Sequence, residues 1–146
     1  MLSLRIQPVS DQGQLDLVFA IRHEVFVEEQ NVPASLEIDE WDQTAVHFLA
    51  VQDGQPVGTA RLRWVSDDTG KVERVAVLKR LRGTGLGQAI MKSIEEYANK
   101  QGAKELKLHA QTHALPFYRK LGYEVQGEPF MDAGIEHIEM KKPIPG

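Results

Sequence analysis

The run Arg82-Gly83-Thr84-Gly85-Leu86-Gly87 sets three glycines at alternate positions directly before a helical pattern that continues through Gln88. Glycine accepts positive φ and close approach, so successive backbone N–H groups can turn inward on an anion. The following helix adds its own unpaired N–H groups and the positive end of its dipole. Lys79, Arg80 and Arg82 supply further positive charge. Such a loop is a cradle for the pyrophosphate of a nucleotide-like cofactor. Its spacing is G-x-G-x-G, not the G-x-G-x-x-G of dinucleotide folds, and no Gly-Lys-Ser/Thr follows to make a Walker loop.

Other side chains with chemical potential are spread along the chain. Glu73 stands two residues before Val75, so strand alternation sets both on one side, where a carboxylate could take a proton once its pKa is raised. An ion pair with Arg74 or Lys71 is the competing role. His47 and His109 are the alternative bases. Five histidines without a short-spaced cluster, and no cysteine, argue against a metal site. Arg22 lies on the apolar side of the first helix, where an unpaired charge is costly. The spacing favours an interior ion pair, with substrate contact as the alternative, and Glu29, Glu37, Asp39 and Asp42 could either partner it or bind a substrate ammonium.

The elements that must hold these residues follow from periodicity. Leu2 to Val9 alternates as a strand. Asp11 with Gln14 marks a helix start, and Leu15, Val18, Phe19, Arg22 and Phe26 carry helical spacing to about Glu28. Asn31-Val32-Pro33 ends that helix, and an irregular acidic loop runs to Gln43. Strands are expected at Val46–Val51 and Val57–Val65 around Asp53-Gly54-Gln55-Pro56, then at Lys71–Leu78. The helix after the glycines lines Leu86, Ala89, Ile90, Ile94, Tyr97 and Ala98 along one face and closes at Gly102. A strand at Glu105–Ala110, a short helix at Ala114–Leu121, and strands at Tyr123–Gln126 and Ile135–Lys141 complete the order β-α-β-β-β-α-β-α-β-β. That order describes a mixed α/β sheet, not a parallel doubly wound one.

One domain over residues 1–146 suits this length. The net charge of −4 conceals a division. From His23 to Ala60 there are eight acidic residues and no Lys or Arg, while the rest carries 13 acids against 17 bases. Such a division suits either two solvated surfaces or one face for a cationic group and another for phosphates. The N-terminus has no long apolar core, so neither a signal peptide nor a membrane span is expected, and the reading is cytoplasmic. Net charge and the lack of a basic recognition helix speak against DNA binding. A homodimer is common in such folds.

At these residues the sequence resembles the GCN5-related N-acetyltransferase (GNAT) family. The family signature Gln/Arg-x-x-Gly-x-Gly/Ala is matched by Arg82, Gly85 and Gly87, after the fourth strand and before a long helix. Ala114-Leu115-Pro116-Phe117-Tyr118-Arg119-Lys120-Leu121-Gly122-Tyr123 is similar to the family's F-Y-x-x-x-G-Y/F segment. Arg22-x-x-Val25-Phe26-x-x-Glu29-Gln30 and Leu108-His109-Ala110-Gln111 resemble a small bacterial subgroup. The resemblance implies a mostly antiparallel sheet flanked by helices, with strands 4 and 5 splayed and the pantetheine arm of acetyl-CoA between them. The arm and acetyl carbonyl would bond the backbone at Val75, Ala76 and Val77, and Phe117 would stand beside the cofactor. By the same resemblance Tyr118 faces the sulfur as general acid, since a phenol of pKa about 10 can donate to a thiolate whose conjugate acid is near 8.5. Some family members use a glutamate on this strand as base, which would be Glu73. Arg22, Glu29, Glu37, Asp39, His109 and Gln111 are the candidates for the acceptor side, a small primary amine such as an amine, amino sugar or amino acid. A non-catalytic acyl-CoA sensor and an acyl-homoserine-lactone-synthase-like enzyme are the competing readings.

Overall fold

The computed structural model describes residues 3–145; Leu2, expected to open the first strand, lies outside them. The elements are β1 (Leu4–Pro8), α1 (Gln12–Arg22), α2 (Ala34–Glu37), β2 (Val46–Gln52), β3 (Gln55–Trp64), β4 (Thr69–Val77), α3 (Leu86–Lys100), β5 (Glu105–Gln111), α4 (Leu115–Lys120), β6 (Glu124–Asp132) and β7 (Ile135–Pro143). They build one seven-stranded sheet in the order β1-β2-β3-β4-β5-β7-β6. Every neighbouring pair is antiparallel except β4–β5, which is parallel. This is the mixed α/β class that the element order implies.

Local chemistry accounts for the boundaries. Asp11 caps α1 by accepting from the Gln14 N–H at 2.8 Å. The β2–β3 connection holds Asp53 at φ 51° and Gly54 at φ 82°, the two left-handed residues of a tight hairpin turn. Gly102 (φ 91°) ends α3, and the Ala103 N–H returns to the Ala98 carbonyl at 2.9 Å.

The sheet is covered on both sides. Phe48, Ala50, Leu62, Val72, Leu106 and Leu108 pack beneath α3, whose buried face is Leu86, Ile90, Met91, Ile94 and Ala98. Leu49 and Ala76 pack on the opposite face, beneath Val18, Ile21 and Val25. β2 therefore buries both sets of alternating side chains, which is why it reads as a nearly continuous apolar run.

Besides β6, which runs on past the expected end at Gln126 to Asp132, two segments depart from the expected pattern. The first helix is α-helical only to Arg22; His23–Glu29 widens into a π-helix, closed by Gln30 N–H to Val25 O at 3.2 Å. The acidic loop is ordered by α2 and by a 3₁₀ turn at Glu40–Gln43, capped by Asp39. Among the described residues no helix is long and apolar enough to cross a membrane.

Candidate active site

The site begins where β4 and β5 part. Their pairing runs from Thr69–Glu105 to Val72–Leu108 and then stops, so the rest of β4 diverges from His109–Gln111. The divergence coincides with an extra residue in β4. Arg61 of β3 faces Glu73 and Thr59 faces Ala76, so two β3 steps span three on β4, and Arg74 takes the slack at φ 55°.

That bulge corrects the expected geometry of Glu73. Strict alternation would align Glu73 with Val75. Instead Val75 and Val77 pack toward the α3 side, while Glu73 stands opposite Arg61 and bonds its guanidinium at 3.0 Å. Arg63 at 3.1 Å and Lys71 at 3.2 Å hold the same carboxylate. Burial alone would raise this carboxyl. The Arg63 hydrogen bond and the charges of Arg61, Lys71 and Arg63 outweigh that effect and hold it at about 2. A carboxylate so occupied does not accept a proton near neutrality.

The glycine loop is exposed ahead of α3 from Gly83 to Gly85. Gly83 and Gly85 stand at φ 80° and 90°, and a Cβ on either would meet nothing within 4 Å. Gly85 precedes α3 with no side-chain cap, and the first helical bond runs from Ala89 N–H to Gly85 O. The N–H groups of Leu86, Gly87 and Gln88 thus lie before the helical ladder begins. Thr84 is exposed, its hydroxyl donating back to Leu81 O at 2.6 Å. A Cβ on Gly87 would come within 3.2 Å of the Phe117 ring, so α4 packs directly on the first turn of α3. Arg82 differs from its expected role as a free phosphate partner. Its Nε donates to Val77 O at 3.1 Å and its terminal nitrogens grip Glu29 at the end of the π-helix, one of them at 2.8 Å. Lys79 and Arg80 remain exposed beside the cradle.

Two clefts flank the gap. The first, about 530 Å³, is lined by Phe26, Leu36 and Trp41 on one wall, by Arg63, Lys71 and Glu73 on the floor, and by His109, His137 and Asp132 opposite. The second, about 500 Å³, lies along Val75–Val77 and Arg82. Gln30, Val75, Gln111, His113 and Ile135 border both, so the clefts meet over the splayed strands. Gln30 and Gln111 bond at 2.8 Å across that junction. Tyr118 packs with the α3-side core yet also lines the first cleft, reaching it through the gap. Burial pushes its phenol up to about 12.

His109 is the histidine that β5 presents to the first cleft beside Gln111. Its Nε2 meets Glu139 at 3.3 Å, and its ring lies edge-on to Phe130. Burial and then the charge of Lys71 lower its pKa, with Glu139 opposing. His47 lies elsewhere, buried against Asp42 O at 2.9 Å, and does not line either cleft.

Within the acidic stretch, Glu37, Asp39 and Asp42 pair with arginines. Arg22 is fully buried and bonds Glu37 and Asp42, each at 2.6 Å. It has no surface with which to meet a substrate. Asp39 bonds Arg61 at 2.7 Å and Arg74 at 3.2 Å. Glu37 and Asp39 do border the first cleft, but as partners of these guanidinium groups. Arg63, His113 and the contact between Gln30 and Gln111 escape sequence reasoning because three strands, the Thr112–Ala114 turn and a π-helix bring them together, whereas Lys71 is legible as a partner of Glu73. Glu29-Gln30, inside the first-helix motif, and Gln111, inside Leu108-His109-Ala110-Gln111, carry a signal.

Residues 6–144 match the family model described as an acetyltransferase (GNAT) domain. The uncharacterised N-acetyltransferase YjcF of Bacillus subtilis is 47% identical over 133 residues, 90% of this chain and 94% of that one. An acyl-CoA N-acyltransferase from Pseudomonas aeruginosa superposes with a TM-score of 0.85 at 27% identity, covering 97% and 99% of the two chains. The CoA-dependent acyl-homoserine lactone synthase BjaI shares the fold alone, at 22% identity and a TM-score of 0.82, covering 98% of this chain and 84% of that one. The chain belongs to the GNAT acetyltransferase family.

Proposed function

We propose that the protein transfers the acetyl group of acetyl-CoA to a primary amine of a small molecule. The observation that carries this reading is the meeting of three features at one gap: the uncapped start of α3, the freed β4 backbone at Val75–Val77, and the Tyr118 phenol arriving from α4. The glycine loop, Gly83 to Gln88, would hold the pyrophosphate through backbone N–H groups, and the pantetheine arm would follow β4 with Phe117 behind the loop. Acetyl-CoA supplies an activated thioester; the residues around it supply orientation and proton transfer.

Attack by the amine forms the N–C bond as the C–S bond breaks. Tyr118 donates its proton to the departing sulfur, and a phenol at about 12 remains protonated for that purpose at pH 7. The amine proton goes to His109. Its lowered pKa keeps the imidazole neutral at pH 7, and the Glu139 contact orients Nε2–H so that Nδ1 carries the lone pair. Glu73 orients cations in this scheme and takes no proton.

The test is thermal unfolding with acetyl-CoA, followed by thiol release across a panel of amines. A hundredfold excess over Kd stabilises by about 2.7 kcal/mol, a Tm rise on the order of 5–10 °C. No shift at saturating acetyl-CoA overturns the donor assignment. A shift without thiol release from any amine makes the protein an acyl-CoA sensor instead.

A further inference from the structure

The ion network beneath the first cleft does not balance. Its carboxylates are Glu37, Asp39, Asp42 and Glu73, and its cations are Arg22, Arg61, Arg63, Lys71 and Arg74. Five positive charges meet four negative ones, and the surplus lies on the cleft side. Glu73 alone is shared by Arg61, Arg63 and Lys71.

Arg63 and Lys71 both have donors to spare. Arg63 engages Glu73 only through Nε, so among the described residues both terminal nitrogens lack a protein partner, and its guanidinium lies 4.3 Å over the Trp41 ring. Lys71 makes one contact, leaving two of its three N–H groups. Both side chains line the cleft at 19% and 13% exposure, where solvent screens a charge poorly. The other charges nearby do not cancel the surplus: Lys107 and Glu139 pair at 3.6 Å, and Asp132 is exposed on the opposite rim.

We propose that the acceptor amine carries a carboxylate, remote from the amine, which seats on Arg63 and Lys71. This deepens the acetyltransfer reading and rests on it. His109 stands two residues past Lys107, the register partner of Lys71, roughly 7 Å farther along the strands at about 3.3 Å per residue. The reacting amine, near Tyr118 and His109, and the anion are therefore several bonds apart in one molecule. An ω-amino carboxylate has that form, and so does a lysine reacting through its side chain. Polyamines and unsubstituted amino sugars do not.

The experiment compares 6-aminohexanoate with its neutral amide, which keeps length and amine while removing the charge. The carboxylate should be favoured in kcat/KM by about 10- to 100-fold, the range of a charge-assisted hydrogen bond or two. Arg63→Met and Lys71→Met keep the apolar stems and should drive that ratio toward one, chiefly through KM. Equal or better use of the amide, or an undiminished preference in both variants, overturns the proposal. Binding is read separately, as the Tm rise that 6-aminohexanoate produces with CoA present. A rise seen in wild type, lost in both variants and unaccompanied by thiol release, upholds the anion seat while overturning acetyl transfer. Thiol release from neutral amines alone does the reverse.

Discussion

Val72 and Ala76 stand four residues apart on β4 yet pack against opposite faces of the sheet, Val72 beneath α3 and Ala76 beneath α1. In a regular strand they would share a face. The left-handed residue between them, Arg74, inserts one position, and the strand leaves its parallel neighbour within that same turn. The bulge thereby separates Glu73, held by cations, from the freed backbone of Val75–Val77.

Arg22 supports this arrangement from beneath. Replacing it with Met removes the shortest partner of both Glu37 and Asp42, leaving Arg74 to the first and Arg61 to the second, and a broken buried pair typically costs about 3–5 kcal/mol. Urea unfolding of Arg22→Met should show a lower midpoint at unchanged m. A loss under about 1 kcal/mol would mean that the network relaxes without it.

Acid should unfold the protein through the same carboxylates. Those of Asp42 and Glu73 lie below their unfolded values, Glu73 at about 2 against 4.5. A lowered folded pKa gives stability that is complete above the unfolded value and drains away as pH falls toward the folded one. Urea midpoints should therefore be flat across this contribution above about pH 5 and decline from there toward pH 2. Glu73→Gln should make the decline shallower.

Gly85 tests the cradle. Its φ of 90° disfavours any L side chain, at roughly 1–2 kcal/mol. Gly85→Val should fold with a modest loss of Tm and lose most of the stabilisation by acetyl-CoA. An unaltered acetyl-CoA shift would place the pyrophosphate elsewhere.

Turnover should separate the proton-transfer groups. Tyr118→Phe should keep the acetyl-CoA shift and lower kcat by about 10²–10⁴-fold. In wild type, kcat/KM should rise with pH through a value below 6.5, the direction in which burial moves His109. His109→Gln should remove that limb. Glu73→Gln should retain it, and its disappearance there would return the base role to Glu73.

Much of the molecule is legible along the chain. The glycine loop, the long helix after it and the Phe117-Tyr118 turn depend on spacing within a few residues, and local geometry follows from local sequence. The Asp53-Gly54 turn and the Asp11 cap are of the same kind. The widening of the first helix at His23 was not legible, since its apolar spacing suits either winding.

The partners of each charge required the folded chain. The acidic stretch from Glu24 to Asp53 reads either as a solvated surface or as a face for a cationic group, and in the fold its Glu37, Asp39 and Asp42 neutralise Arg22, Arg61 and Arg74 from α1, β3 and β4. Coulomb interactions depend on distance in space, and those arginines approach only after the sheet forms. The side to which Glu73 points is likewise set by one bulged residue, whose position is fixed by pairing with β3 and not by alternation within β4. Local spacing thus wrote the donor cradle into the sequence, while sheet pairing decided which charges remain to meet an acceptor.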